Sequence, residues 1–488
     1  MDASISALWR LLLLNSLVFG IEVCVAAGFN LAPALLLKSG MERSQMSLVL
    51  GVGPFLALIL VPAIGVTSDQ CRSSLGRRRP FILILSFGIC LSLLLIPYGE
   101  LIGNALGGKP YAMLILTIGV VLLDCCTELC WAPMEALISD AYGNTDLSER
   151  SFLVYSFMMN AGGSVGYLLA AIDSRENSFL AEWVGGQEQA VFLLLFLLLV
   201  FSLGVTAFKA KEKVSEESDS PQNLTLTQNR RCRICDFVPR TCIQSVLAFT
   251  RLIPKCLQNS MEIPSVLRRL QVAHFFMWAA LLCYIEFFSD FVGEAVYPGR
   301  PHAVVGSEER KLFDQGVRMA SFGLLIQCVT ATVSSMFLEI VVKRIGERKT
   351  LQLSMAIFTV GMTVLVIVRT PLMVVMMSSL TGLASAAANS IPFALVGTYH
   401  EQREIFFAFD SPATESSGVG AHMAALNTSY YLAQIMLSVF MGYIVHITRS
   451  VTTYITCAAL LGMVACFTLS RIVVTEEELQ TIQNDRAS

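Results

Sequence analysis

The chain has 488 residues, of which 55% are hydrophobic and only 15% are charged, and its formal net charge is −3. Soluble globular chains are typically about 45–50% apolar and about 25% charged. The composition therefore predicts a membrane protein and excludes a disordered chain, a coiled coil and a basic nucleic-acid-binding protein. A net charge near zero also excludes long-range attraction of anionic partners by the whole protein.

Twelve apolar runs of about 20 residues, the length that a helix needs to cross a bilayer, follow one another along the chain. They lie at about 11–31, 46–66, 81–98, 111–136, 151–172, 189–208, 269–290, 316–342, 350–368, 372–399, 421–446 and 451–471. Six runs precede a polar stretch and six follow it, a pattern typical of two repeated bundles. We therefore predict an all-α membrane protein with twelve transmembrane helices in two six-helix bundles, 1–208 and 269–488, joined by a cytoplasmic loop at 209–268.

Lysine and arginine residues indicate the orientation in the membrane. They cluster in the short loops 67–80 and 343–349, and short loops rich in these residues stay in the cytoplasm. This pattern predicts a multi-pass protein with both termini in the cytoplasm. The plasma membrane is the expected location, and an internal membrane is the alternative.

Span 1 carries an acidic residue, Glu22, near its centre. Ionisable side chains inside a bilayer are costly, face the bundle interior and mark a transport pathway by default. Glu22 is therefore predicted either to bind the transported species or to form an interior ion pair. Arg318 in span 8 is the candidate partner for that pair.

The loop between spans 2 and 3 combines an acid with consecutive arginines. Asp69 is followed a few residues later by Arg77, Arg78 and Arg79. Asp69 can accept hydrogen bonds from an arginine or from a helix N-terminus, which predicts an inner latch that breaks when the two bundles rock. The alternative is that the arginines only anchor the loop at the cytoplasmic surface.

Span 4 places acidic residues on one face. At about 100° per residue, Glu128, Trp131 and Glu135 all lie within about 40° of Asp124 around the helix. Asp124 is near the middle of the span, where burial and a second carboxylate both disfavour the charged form. We therefore predict that Asp124 binds a proton, with Glu128 beside it. Structural pairing is the alternative for Glu128, and plain packing is the alternative for Trp131.

Charged residues also meet where span 7 ends and span 8 begins. Glu286 and Asp290 lie one turn apart near the outer end of span 7, and Arg318 lies three residues into span 8. Arg318 is predicted to pair with one of these acids if it does not pair with Glu22. The alternative for the two acids is an interfacial position at the helix end.

Four amide side chains lie within other predicted spans. Asn160 is in span 5, Asn389 is in span 10, and Asn427 and Gln434 are seven residues apart in span 11 and share a face. Amides are suited to binding hydroxyl groups, but they also join membrane helices to one another. Both roles remain open for all four.

Several segments resemble one transporter family. The sequences Gly-Val-Thr-Ser-Asp at 65–69 and Gly-Arg-Arg-Arg-Pro at 76–80 resemble the corresponding loop of the major facilitator superfamily. The triple arginine followed by Pro-Phe, together with segments 288–299 and 316–318, resembles its glycoside–cation symporter branch. That branch includes the plant sucrose transporters and the animal solute carrier family 45.

The resemblance implies a symporter that moves a neutral sugar, such as sucrose, glucose or fructose, together with a proton. It implies that Asp124 accepts the proton, because Asp124 matches a span-4 aspartate of the plant sucrose transporters. Where the family often has a second acid in span 1, this chain has Gly28. The polar residues of the spans then become candidate sugar ligands: Glu22, Trp131, Asn160, Asn389, Asn427 and Gln434.

Other function classes are weighed against this hypothesis. An enzyme is not expected, because the spans carry no nucleophile–base pair and no metal-ligand cluster. The expected partners are a small sugar and the lipid bilayer, with the proton as coupling ion, no other cofactor and a monomer as the working unit. The alternatives are an uncoupled facilitator or exporter of another solute, and a membrane scaffold that no longer transports.

Overall fold

The computed structural model describes residues 9–69, 73, 76, 78–142, 148–171, 186–209, 264–304, 306–402, 406–407, 419–474 and 478. Within these residues the chain forms twelve long helices. They are α1 (Ser16–Lys38), α2 (Arg43–Asp69), α3 (Arg79–Leu106), α4 (Lys109–Tyr142), α5 (Ser148–Ala171), α6 (Gln187–Lys209), α7 (Ser265–Phe291), α8 (Glu308–Ile345), α9 (Glu347–Ile367), α10 (Pro371–Glu401), α11 (Val419–Thr448) and α12 (Thr452–Leu469). A π-helical turn, Val292–Val296, continues α7.

These helices match the predicted spans in order, which confirms the all-helical membrane fold. Eleven are long and apolar enough to cross a bilayer, and α5 has 24 residues and packs between α1 and α8. α8 begins eight residues before the predicted start at residue 316. Its polar first turn is helical because Ser307 Oγ accepts a hydrogen bond from Arg310 N (3.3 Å). Glu308 and Glu309 also face the positive end of the helix dipole.

The twelve helices form two groups of six. In the first half α1 packs on α5, and α3 packs on α4; in the second half α7 packs on α12, and α8 packs on α10. The halves meet where α2 packs on α11 and where α5 packs on α8. Most of the connecting segment 209–268 lies outside the described residues, so the predicted domain boundaries stay a prediction.

Two ion pairs join the halves at one end of the molecule, which we call the outer end. It carries the α1–α2, α7–α8 and α11–α12 connections, whereas α6 ends and α7 begins at the opposite end, which we call the loop end. Lys38 Nζ lies 2.7 Å from Asp314 Oδ1, and Arg43 Nη2 lies 2.5 Å from Glu294 Oε1. We call these two pairs the outer gate.

Close packing of α2 on α11 seals the same end. Ser47 Oγ donates to Ser438 O (2.7 Å) and accepts from Gly442 N (3.3 Å). A Cβ at Gly442 would lie 2.7 Å from Arg43 O, so a side chain there would force the two helices apart. A small residue is therefore required for this close crossing.

Candidate functional site

Asp124 lies inside α4 and is only 1% exposed. Neither of its carboxylate oxygens has a hydrogen-bond partner among the described residues. The α2 backbone approaches at Gly53, where an added Cβ would overlap the Asp124 carboxylate. Burying a charge without a partner is costly, so Asp124 is in a position where its protonation state matters.

Two further carboxylates lie near Asp124, and side chains of α11 form a hydrogen bond with each of them. Glu128 is one turn along α4, and Glu286 projects from α7; both interact electrostatically with Asp124. A side-chain hydrogen bond joins Tyr431 to Glu128, and another joins Gln434 to Glu286. We call Asp124, Glu128 and Glu286 the acid cluster. Its members come from both halves, so a change in their charge acts where the halves face each other.

The predicted polar face of α4 continues from the acid cluster toward the loop end. Trp131 is half-buried against the hydrophobic core. Glu135 is exposed and accepts a hydrogen bond from the Tyr155 hydroxyl of α5 (3.2 Å). The face therefore runs from a buried carboxylate at mid-helix to an exposed one nearer the loop end.

Glu22 lies in α1 where α5 approaches closely. A Cβ at Gly162 would lie 2.9 Å from Glu22 Cβ, and one at Gly163 would lie 3.6 Å from Glu22 Oε1. Glu22 is half-buried and interacts electrostatically with Glu128. It therefore lies beside the acid cluster, while its predicted pairing with Arg318 stays a prediction.

Asp290 lies between the acid cluster and the outer gate. It is one turn from Glu286 and fully buried, with no hydrogen-bond partner for either oxygen among the described residues. Asp290 is thus enclosed by protein, while the alternative considered from the sequence, an interfacial position at the helix end, stays a prediction. Its electrostatic neighbours are Arg43 and Glu294 of the outer gate. Arg318 is half-buried in α8, and its pairing with Asp290 or Glu286 stays a prediction.

The four predicted amides occupy different surroundings. Gln434 is 4% exposed and joins the acid cluster through Glu286. Asn160 donates to Ser156 O (2.9 Å) and Asn389 donates to Ser385 O (3.0 Å), each one turn back along its own helix. Asn389 and Asn427 are exposed. Among the four, Gln434 is thus the amide that contacts the acid cluster.

The arginine-rich loop is described only in part. Arg78 is buried and donates to Ser68 Oγ (2.5 Å). Two guanidinium nitrogens of Arg79 are buried without hydrogen-bond partners among the described residues. Arg77 and the side chain of Asp69 lie outside the described residues, so the inner latch stays a prediction.

Sequence reasoning missed the outer gate and the position of Glu286. Lys38, Arg43, Glu294 and Asp314 lie at helix ends, where charged residues commonly anchor a span at the membrane surface. No sequence signal separates such an anchor from a partner in an ion pair between the halves. Glu286 did carry a signal, because it is an ionisable residue inside a span.

Comparisons with known proteins agree with this architecture. The model of the Major Facilitator Superfamily matches residues 11–298. Solute carrier family 45 member 3 of Mus musculus is 34% identical over 541 residues, covering 96% of each chain. Proton-associated sugar transporter A of Rattus norvegicus is 21% identical, over 96% of this chain and 86% of that protein.

The fold is also similar to solved structures. The crystal structure of a D-xylose-proton symporter superposes with a TM-score of 0.61 at 14% identity, covering 97% of this chain and 99% of the other. At this identity the similarity concerns the fold alone. The full-length relatives, the matched family model and the twelve-helix architecture together show that the chain belongs to solute carrier family 45 of the major facilitator superfamily, a family of membrane transporters.

Proposed function

We propose that this chain is a proton-coupled symporter of a neutral sugar such as sucrose, glucose or fructose. One similarity supports the choice of cargo and coupling ion, since the rat relative is named a proton-associated sugar transporter. The sequence resemblance to the sucrose-transporter branch points the same way.

The observation that carries the proposal is the environment of Asp124. Both carboxylate oxygens are buried without hydrogen-bond partners among the described residues. Glu128 and Glu286, which interact with it electrostatically, are carboxylates too. A proton bound at Asp124 removes the cost of burying an unpaired charge beside two others. Asp124 is therefore the proposed proton site, and Glu128 is proposed to take part in binding the proton.

The sugar is uncharged, so its recognition depends on hydrogen bonds and on packing against its ring. Glu22 lies beside the acid cluster and Gln434 lies within reach of it, so both are proposed to bind hydroxyl groups. Trp131 is proposed to stack on the apolar face of the ring. The remaining proposed ligands of the sugar are Asn160, Asn389 and Asn427.

Transport requires the two ends to open in turn. The outer gate is closed, and opening it means separating Lys38 from Asp314 and Arg43 from Glu294. The Asp69 and Arg77–Arg79 loop is proposed to close the loop end when the outer gate opens. Coupling follows if the carrier changes state easily when it holds both proton and sugar, and poorly when it holds only one.

The proposed setting follows the predicted orientation. With the loop end in the cytoplasm, the closed outer gate corresponds to a carrier that is closed toward the outside. We place the chain in the plasma membrane, with both termini cytoplasmic, acting as a monomer without a metal or an organic cofactor.

The test is uptake of labelled sucrose, glucose and fructose into proteoliposomes with and without an inward proton gradient. We expect the gradient to drive accumulation of at least one sugar. Asp124→Asn keeps the size of the side chain but cannot release a proton, so accumulation should fall to the equilibrium level while sugar exchange continues.

Glu308→Gln is the matched control, since Glu308 is an exposed acid at the outer start of α8. It should accumulate sugar as the wild type does. Gradient-independent uptake by the wild type would instead indicate an uncoupled facilitator. Full accumulation by Asp124→Asn would remove the proton site from Asp124.

A further inference from the structure

Three side chains and one backbone carbonyl of the second half form a chain of hydrogen bonds that the proposed mechanism does not use. Trp278 Nε1 donates to His274 Nε2 (3.0 Å), both on α7. His274 Nδ1 lies 2.9 Å from Ser429 Oγ on α11, and Ser429 Oγ donates to Leu426 O (2.6 Å). Each group therefore donates to the next, from the Trp278 indole through His274 and Ser429 to the Leu426 carbonyl of α11.

This direction determines the state of the imidazole. His274 Nε2 accepts the indole hydrogen and so carries none of its own, which places the single ring hydrogen on Nδ1. A protonated ring would turn a second N–H toward the indole N–H and break the contact. His274 is 1% exposed, and it acts here as a neutral connector rather than as a proton relay.

The connector sets the orientation of two aromatic rings. Trp278 meets Tyr430 of α11 edge to face, with ring centroids 4.9 Å apart and planes at 87°. Both rings are half-buried. Since the indole N–H is already bonded to His274, Trp278 offers only carbon surface to a ligand.

Trp278 and Tyr430 lie beside the acid cluster. Tyr430 interacts electrostatically with Glu128, Glu286 and Asp124. Its neighbour in sequence, Tyr431, bonds to Glu128. An aromatic surface next to hydrogen-bonding carboxylates suits a ligand with one apolar ring face and a rim of hydroxyl groups, which describes a pyranose sugar.

We propose that Trp278 and Tyr430 form a sugar-stacking subsite in the second half, and that His274 is the positioning residue that holds the two rings at right angles. The inference rests on the proposed function, because it assumes a cyclic sugar as cargo. It adds a binding surface on α7 and α11 to the Trp131 surface proposed on α4.

The test is uptake kinetics in proteoliposomes with glucose and with sorbitol, its open-chain alcohol. Tyr430→Leu should raise the KM for glucose about 5- to 10-fold and reduce the preference for glucose over sorbitol. Tyr430→Phe keeps the ring and should stay within about 2-fold of the wild type. Tyr443→Leu is the matched control on the same helix, since Tyr443 is 61% exposed, and it should leave both values unchanged.

The role of His274 is tested with two substitutions and a spectroscopic signal. His274→Gln retains an acceptor and a donor and should preserve glucose preference, whereas His274→Phe retains only the ring and should lose it. In a Trp131→Phe background, glucose should still change tryptophan fluorescence, and adding Trp278→Phe should abolish that change. This fluorescence measurement also serves if His274→Phe folds poorly.

The possible outcomes separate the two proposals. If the wild type accumulates glucose and Tyr430→Leu leaves the KM and the glucose preference unchanged, the subsite is overturned and the symporter remains. If the wild type neither binds nor moves any sugar, both proposals are overturned.

Discussion

The outer gate and the acid cluster differ in whether their carboxylates lie next to a cation. In the outer gate each carboxylate has a cation, with Lys38 2.7 Å from Asp314 and Arg43 2.5 Å from Glu294. In the acid cluster Asp124 is buried without a hydrogen-bond partner among the described residues. Paired charges stabilise one arrangement of the helices, whereas an unpaired carboxylate changes its energy when a proton binds. The comparison suggests that the outer end holds a conformation and that the centre responds to ligands.

Glycine serves both regions but for different reasons. At the outer end Gly442 lets α11 approach the α2 backbone at Arg43, one of the gate residues. At the centre Gly53 leaves room for the Asp124 carboxylate itself. A side chain at Gly442 would change how often the outer end is closed. A side chain at Gly53 would displace the proposed proton site itself.

The largest expected effect is at Gly53. Gly53→Ala places a methyl group where the Asp124 carboxylate lies, and overpacking of this kind costs about 1–3 kcal/mol. Proton-driven sugar accumulation should therefore fall about 5- to 100-fold. Gly204→Ala in α6 is the control, because a Cβ there meets nothing within 4 Å. Unchanged accumulation by Gly53→Ala would show that the space around Asp124 is not needed.

An intermediate effect is expected at the outer gate. Lys38 Nζ forms ion pairs with Asp314 Oδ1 across the halves and with Glu188 Oε1 within the first half, both at 2.7 Å. Asp314→Asn should weaken the contact across the halves by about 1 kcal/mol, and so raise the outward-open fraction about fivefold. The measurement is labelling of Ser47→Cys by an impermeant thiol reagent added from outside, in a cysteine-free background.

Glu188→Gln sharpens this experiment, because it removes the other partner of Lys38 without touching the contact between the halves. It should leave the labelling rate of Ser47→Cys close to that of the parent. Labelling raised equally in both variants would mean that the gate depends on Lys38 being held in place and not specifically on its pairing with Asp314.

The smallest effect is expected for a pair outside both regions. Lys343 and Glu339 are 2.5 Å apart on α8, one turn from each other, and both side chains are more than two-thirds exposed. Exposed pairs of this kind contribute little. Glu339→Gln should shift the Tm by less than about 1 °C and leave sugar uptake unchanged. A shift of several degrees in the Tm would contradict the view that the location of an ion pair determines how much it stabilises the protein.

Much of the fold could be predicted, because a membrane helix is encoded locally. An apolar run of about 20 residues must form a helix in lipid so that its backbone groups are hydrogen-bonded, and the helices appear in the predicted order. The polar starts of helices were harder to predict. The first turns of α8 are charged, and their helical structure depends on the Ser307 cap and not on apolar residues.

The candidate site was predictable only one helix at a time. Helical periodicity placed Asp124, Glu128, Trp131 and Glu135 on one face of α4. It carried no information about which helix faces them, so the contribution of Glu286 from the other half came from the structure. Asn389 and Asn427 illustrate the same limit, since periodicity did not indicate that both side chains would be exposed.

By itself, the sequence determined that the chain crosses a membrane twelve times and that acidic residues lie inside its helices, because apolar length and helical period are local properties. Only the tertiary structure decided which charges pair and which stay alone. Arg43 meets Glu294 across 251 residues and Asn30 meets Ser321 across 291, and such contacts form only when the two halves pack. Asp124 likewise lacks a hydrogen-bond partner among the described residues because the helices that pack around it present none to its carboxylate.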